Sequence, residues 1–381
     1  MELHVIDIGI IAAYILSTIF IGFYISKKAS KDINSYFLGG NKIPWYILGV
    51  SNASGMFDIT GTMWLVYLTF VYGLKGIFIP WTWPVFNQIF LMIFLSKWLR
   101  RSNVMTGAEW LKTRFGYDKG AKLSHIIIVV FALVSVIGFL AYGFKGIGKF
   151  SAQFLPWDLT PNMYAVIFMS ITTLYIIKGG MFSVVLTELI QFIIMTIASI
   201  AIGIIAINQV NPDVLATLIP AGWDSLFFGW ELNLDWSGIL DSVNGKIAGD
   251  GYSLFMLFFG MVLFKGFLVS AAGPAPNYDM QRILATKSPA DASKMSGMVS
   301  VALFFPRYML IGGLSVLAIV FFNNELKAMG DAIDFELILP YALQNFVPVG
   351  LLGIIMAGLL AAFMSTFAAT VNAATAYIVN D

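Results

Sequence analysis

Apolar runs long enough to cross a lipid bilayer recur along this chain and leave few options for its fold. A hydrocarbon core of about 30 Å takes roughly 20 apolar residues of helix. Runs of that order lie near residues 5–26, 45–73, 76–99, 121–150, 161–178, 181–208, 251–273, 297–323 and 349–379. In lipid every backbone N–H and C=O must find its partner within the protein, and runs of this length achieve that as helices. The expectation is an all-α integral membrane protein of about nine transmembrane helices. The first run reads as a spanning helix and not as a cleavable leader, because it is too long, lacks a basic start and has no Ala-x-Ala-like site.

The placement of Lys and Arg sets an expected orientation, since these residues favour cytoplasmic loops. With the N-terminus outside, the cytoplasmic side receives fifteen of the twenty-two, including Lys27, Lys28, Arg100, Arg101, Arg114, Lys178, Arg282 and Lys294. The segment 209–250 then faces outward with Asp213, Asp224, Glu231, Asp235, Asp241 and Asp250 against Lys246 alone. A multi-pass protein of the plasma (inner) membrane follows as the expectation. A net charge of +1 gives no sign of nucleic-acid binding, and zero cysteines with two histidines leave no thiolate or histidine metal cluster. No paired nucleophile and base is spaced for catalysis, so an enzyme is not expected.

Two runs are interrupted where an unbroken helix would be simplest. The second holds Ser51-Asn52-Ala53-Ser54-Gly55 and, shortly after, the single charge Asp58; the seventh runs into Ala271-Ala272-Gly273-Pro274-Ala275-Pro276. Broken backbone at membrane depth is tolerated where it lines a cavity, and matched breaks in two halves point to a transporter's binding site. A bland reading stays open, in which small residues merely let helices pack closely.

Around these runs, Tyr36-Phe37-Leu38-Gly39-Gly40, Thr106-Gly107-Ala108-Glu109-Trp110-Leu111 with Arg114-Phe115-Gly116, Gly179-Gly180 with Thr187-Glu188-Leu189-Ile190-Gln191, Gln281-Arg282-Ile283-Leu284-Ala285-Thr286-Lys287-Ser288, and Ala361-Ala362-Phe363-Met364-Ser365-Thr366 occur in that order. Together they resemble the sodium:solute symporter family over nearly the whole chain. The resemblance implies a leucine-transporter-like inverted-repeat bundle: residues 5–26 as an extra N-terminal helix, 45–208 as a first five-helix repeat and 251–381 as a partial second one. The family continues through at least two more core helices after the position of Asp381, so the second repeat is expected to be incomplete.

The resemblance implies a secondary active transporter that couples sodium entry to uptake of a small organic solute of sugar, amino acid or carboxylate type. Sodium is the coupling ion, no organic cofactor is called for, and the bilayer is the remaining partner. A membrane solute sensor, or a non-transporting fragment, is the alternative. Ala362, Ser365 and Thr366 are spaced i, i+3, i+4, placing one carbonyl and two hydroxyls on one helix face, and a hard cation prefers oxygen ligands. Equally, such hydroxyls can bond back to the preceding turn. The family's two further carbonyls map onto Ser51 and Ser54, and Glu188 falls near the sodium site, where many members carry Asp. Ala368 and Ala369 stand where members with a second sodium carry serines, which implies one sodium per solute.

An ionisable group near the bilayer centre is expensive and by default functional. Asp58 therefore reads as solute-binding, with Phe57, Trp81 or Trp83 and Lys265 as companions. Its structural alternative is a pair with Lys265 or Arg307. The stretch Val269-Ser270-Ala271-Ala272-Gly273 does not carry over the family's sugar pocket unchanged.

Overall fold

The computed structural model describes residues 3–29, 31–77, 85–226, 230–268, 278–330 and 333–381. Helices account for the regular structure, and among the described residues the only strand-like pairings are two isolated bridges, Ile43 with Thr286 and Glu231 with Ser253.

The chain opens with α1 (Val5–Ala29), followed by the two pieces α2 (Trp45–Gly55) and α3 (Ile59–Tyr72). Next come α4 (85–102), whose middle, Leu91–Leu95, is π-helical, the short α5 (Gly107–Phe115) and the long α6 (Lys119–Phe154). The helix α7 (Pro161–Gln209) is followed by the loop-borne α8 (Ser242–Asp250) and by α9, which starts at Leu254–Leu257 and continues as a π-helix over Phe258–Leu268. The last four are α10 (Tyr278–Ala285), α11 (Pro289–Met329), α12 (Ile338–Phe346) and α13 (Leu351–Asn380).

Among the described residues, five helices are individually long and apolar enough to cross a membrane: Val5–Ser26 within α1, then α6, α7, α11 and α13. The chain is thus a multi-pass membrane protein, and some of its apolar runs are divided or joined in the structure. The second run is cut at residues 56–58 into pieces of 11 and 14 residues. The fifth and sixth runs are joined as one helix of 49 residues. At 1.5 Å per residue such a helix would measure about 73 Å, more than twice the hydrocarbon thickness. It is not one straight rod, because Gly180 leaves helical geometry at φ 49°, ψ −150°. A β-carbon there would lie 2.6 Å from the carbonyl oxygen of Tyr36, so the kink needs glycine at this position.

Helix starts follow local chemistry. Thr106 accepts the Glu109 amide at 3.1 Å while the Glu109 carboxylate accepts the Met105 amide at 2.8 Å, a capping arrangement that explains the spacing of Thr106 and Glu109 in the sequence. Asp118 caps α6 through the Ala121 amide, and Thr160 followed by Pro161 opens α7. A cap supplied in trans opens α13: Asp7, buried on α1, accepts the amides of Gly350 at 2.8 Å and Gly353 at 2.7 Å. An anion at a helix N-terminus is favourable on both hydrogen-bonding and dipole grounds.

Burial separates centre from rim. In the most apolar window of α13, 89% is buried inside the protein, against 11% for α6. Large apolar side chains such as Ile126, Val130, Val134 and Ile137 on α6 stand exposed, as lipid-facing residues do. At the centre α13 packs against α1, α2, α3, α6 and α7, and α7 in turn packs against α1, α2, α6 and α11. The interrupted pair α2–α3 is thereby enclosed by α7, α11 and α13.

Candidate functional site

The helix α2 ends because its last turn closes on itself. The Met56 amide is shared between the carbonyls of Asn52 and Ala53 at 3.2 Å each, and the Phe57 amide reaches Ser54 at 3.0 Å. Asp58 is extended, at φ −80° and ψ 155°, and its carboxylate oxygen Oδ1 accepts the Gly61 amide at 2.6 Å. Its own carbonyl accepts the Thr62 hydroxyl at 2.7 Å. The carboxylate expected from the sequence to serve solute thus has a defined local duty as the N-cap of α3, where the free amides and helix dipole favour a negative charge. Tyr142 on α6 also donates to Oδ1 at 3.4 Å, and the positive field of Arg307 on α11 reaches the same carboxylate.

Across from the break lies α13. Thr366 places its hydroxyl between two carbonyls, Gly55 at 2.7 Å and Ala362, one turn back, at 3.0 Å. Ser365 donates to Oε1 of Glu188 at 3.0 Å. The hydroxyl face read from the i, i+3, i+4 spacing is therefore turned to the broken end of α2 and to the buried carboxylate of α7. Ser51 and Ser54 are both buried on α2, and the Ser54 carbonyl already accepts the Phe57 amide.

Glu188 is the hub. Besides Ser365 it accepts the Ser51 hydroxyl on Oε2 and forms an ion pair with Arg282 through Oε1, while Arg282 Nε donates to Ser51 Oγ at 3.1 Å. Both charged side chains are fully buried. Arg282, counted from the sequence among the cations of the cytoplasmic side, lies on α10 against α7 and α2 inside the protein. Its position directly after Gln281 in a motif was the available signal. Gln281 also points inward, with Asn372 donating to its Oε1 at 3.3 Å.

Phe57 is buried at the break itself. Trp81, Trp83 and the second interruption, Gly273 to Pro276, lie outside the described residues, and of Lys265 only the backbone, in the π-helical stretch of α9, is described. Asn52, whose side chain was not singled out from the sequence, is wholly buried, and among the described residues neither of its amide atoms has a hydrogen-bond partner. An amide left unsatisfied in a protein interior is costly.

Two spaces border this region. A cavity of about 20 Å³ is lined by Asp58, Thr60, Tyr142, Phe363, Thr366 and Thr370, with room for one water-sized species. A second, of about 510 Å³, lies at the far end of α3 and is lined by Tyr67, Lys246, Asp334, Phe335 and Glu336 among others. Lys149 at the end of α6 pairs with Asp334 at 2.6 Å and Glu336 at 2.7 Å beside it. Among the described residues no group of three or more His, Cys, Asp or Glu is placed to hold a metal.

Comparison with known proteins places these features in a family context. Residues 36–381 match the model of the sodium:solute symporter family. The chain is 24% identical to the sodium/glucose cotransporter of Vibrio parahaemolyticus over 406 residues, covering 100% of this chain and 69% of that protein. It is also 24% identical to the human sodium/myo-inositol cotransporter over 404 residues, covering 98% of this chain and 54% of the relative. The chain thus spans between about half and 69% of the length of these relatives. Its fold is similar to that of a Na+-coupled sialic acid symporter solved in a substrate-bound, outward-open state, with a TM-score of 0.78 at 18% identity over 98% of this chain and 73% of that one.

Proposed function

The chain belongs to the sodium:solute symporter family, and on that premise we propose that it couples the inward movement of sodium to uptake of a small organic solute. The relatives it matches are cotransporters of glucose and myo-inositol, and the similar fold is that of a sialic acid symporter. The solute in our reading is of sugar, amino acid or carboxylate type. The architecture is leucine-transporter-like, with 45–208 and 251–381 as inverted halves behind an extra N-terminal helix, the N-terminus outside and the protein in the plasma membrane.

The observation that carries the reading is the convergence of Ser365 and Thr366 on the broken end of α2 and on Glu188. Sodium is a hard cation that takes oxygen ligands. In our assignment those oxygens are the carbonyls of Ser51, Ser54 and Ala362 and the hydroxyls of Ser365 and Thr366. A hydroxyl that donates its hydrogen to a carbonyl or carboxylate still turns lone pairs outward. The bonds from Thr366 to Gly55 and from Ser365 to Glu188 thus orient both oxygens without consuming them as acceptors. Breaking the α2–α3 helix exposes backbone carbonyls that an intact helix would have used internally.

Solute binds next to this ion, with Asp58, Phe57 and Asn52 as the polar and apolar groups nearest the break, and Trp81 and Lys265 as further candidates. The cavity beside Asp58 is too small for an organic solute at about 20 Å³, so solute entry requires the α6 and α13 side chains around it to separate. With the N-terminus outside, the 510 Å³ cavity is the outer vestibule that feeds this position.

A ligand that binds the native state alone raises the unfolding temperature. The test is a thermal-shift screen of sugars, polyols, amino acids and sialic-acid-like carboxylates, each in sodium and in potassium. A solute that stabilises the purified protein only in sodium supports the proposal. Stabilisation by solutes that ignores sodium, or sodium titrations with no effect in any solute, would remove the coupling.

A further inference from the structure

The Glu188–Arg282 pair sits too close to the candidate sodium position to be electrically neutral toward it. Ser365 belongs to both, as a proposed sodium ligand and as a donor to Glu188 Oε1 at 3.0 Å. Ser51 likewise touches both charges, donating to Glu188 and accepting from Arg282 Nε at 3.1 Å. Four helices, α2, α7, α10 and α13, thus meet around the Glu188 anion and the Arg282 cation, whose charges cancel.

Cancellation matters because the cluster is fully buried. A lone carboxylate in such a place is strongly unfavourable, and so is a surplus cation. Glu188 therefore calls for one positive charge. Arg282 supplies it in this structure. Sodium bound against Ser365 would supply it as well, and the two together would leave the buried cluster with one positive charge too many. Attraction and repulsion at these short separations are only weakly screened by solvent, so the choice between the two cations is steep.

Resting on the sodium reading above, we propose that Arg282 is a tethered counter-cation that competes with sodium for Glu188. Sodium arriving beside Ser365 loosens the ion pair and frees the short helix α10, which carries Arg282. When sodium leaves, the guanidinium recloses on Glu188, so the empty carrier never holds an uncompensated carboxylate. Arg282 is in this sense a positioning residue for release, acting on sodium through Glu188.

The competition reverses the usual expectation for removing a buried cation. Loss of a merely structural arginine would loosen the site and weaken sodium binding; loss of a competitor must strengthen it. The experiment is a sodium titration of purified protein, read as the unfolding temperature at constant ionic strength with choline as the replacement cation. Arg282→Gln is expected to lower the half-saturating sodium concentration by roughly tenfold. Arg282→Lys, which keeps the charge, is expected to stay near wild type. In Arg282→Gln combined with Glu188→Gln, the gain is expected to vanish. Should Arg282→Gln fail to fold, Glu188→Gln alone decides: leaving Arg282 without its anion must raise half-saturation by roughly tenfold or more.

An unchanged or higher half-saturation in folded Arg282→Gln overturns the proposal, as does a gain that survives in the double variant. Unchanged sodium dependence in Glu188→Gln does the same. In each of these cases sodium still binds, so the sodium reading itself stands. If neither wild type nor any variant responds to sodium, both fall together.

Discussion

Thr366 donates its hydroxyl hydrogen to the carbonyl of Gly55 across 2.7 Å, tying the middle of α13 to the last residue of α2. This single contact joins the helix that carries the hydroxyl pair to the end of the interrupted one. It also holds two kinds of oxygen, side-chain and backbone, at one position inside the membrane.

Replacing Ser365 and Thr366 together with Ala is expected to abolish sodium-dependent stabilisation. The Gly55 carbonyl then loses one partner and Glu188 another, at a cost of about 1–3 kcal/mol each. The check is a sodium titration of the unfolding temperature alongside an unfolded-fraction measurement in the absence of sodium. A double variant that still titrates like wild type would remove both hydroxyls from the ion site.

Asp58→Asn keeps an N-cap oxygen for the Gly61 amide, and Asn caps about as well as Asp. Stability should therefore shift by less than about 1 kcal/mol, while solute affinity or selectivity changes and the sodium half-saturation does not. Asp58→Ala, by contrast, loses the cap as well, at about 1 kcal/mol. The opposite outcome, a general loss of stability in Asp58→Asn that is rescued by neutralising Arg307, would make the residue a structural partner of α11 and nothing more.

Asn52→Ala should leave the stability of the ligand-free protein unchanged or slightly higher, since it deletes a buried amide that has no partner among the described residues. Solute-dependent stabilisation should fall by an amount equivalent to one or two hydrogen bonds, about 1–3 kcal/mol. Retained solute affinity in this variant would place the pocket elsewhere.

Asp7→Ala is expected to destabilise the protein by about 1–2 kcal/mol through loss of the cap on α13, and Asp7→Asn by less, because an amide oxygen still accepts from Gly350 and Gly353. Neither should alter sodium half-saturation, because the amides that Asp7 binds belong to the opening turn of α13. Equal losses in the two variants would mean that the charge, and not the acceptor, is what α13 needs.

In the loop helix α8, burial pushes the Asp250 carboxyl up to about 6 from its ordinary 3.8, even with the Lys246 ammonium 2.9 Å away. The folded state then holds this proton to higher pH than the unfolded chain does. Between about pH 4 and pH 6 the folded form binds more protons, so stability is greatest at the acid end and declines as pH rises through that window. Unfolding temperatures measured across it should fall in wild type and lose that component in Asp250→Asn. A slope shared by both proteins would assign the dependence to other groups.

Much of this protein was legible in its order of residues. The recurrent apolar runs required helices because lipid offers the backbone no partner. The run of small and polar residues from Ser51 to Gly55 announced a break, and the helix does stop at Gly55 and resume at Ile59. The i, i+3, i+4 spacing placed Ser365 and Thr366 on one helix face, since 3.6 residues per turn is a local property.

What could not be read were the partners that arrive from elsewhere in the chain. Arg282 looked like a loop cation because charge counts know nothing of burial, yet it lies 94 positions from Glu188 in sequence and within bonding reach in space. For Asp58 the cost in lipid was evident from the sequence, while the free amides of α3 that reduce it were not. Asp7 drew no notice at all, since its role exists only once Gly350 and Gly353 are brought beside it, more than 340 positions later. Period and propensity are set by neighbours along the chain, so the sequence determined the helices and the break after Gly55. Charge compensation and capping in trans are set by neighbours in space, and tertiary packing alone decided those.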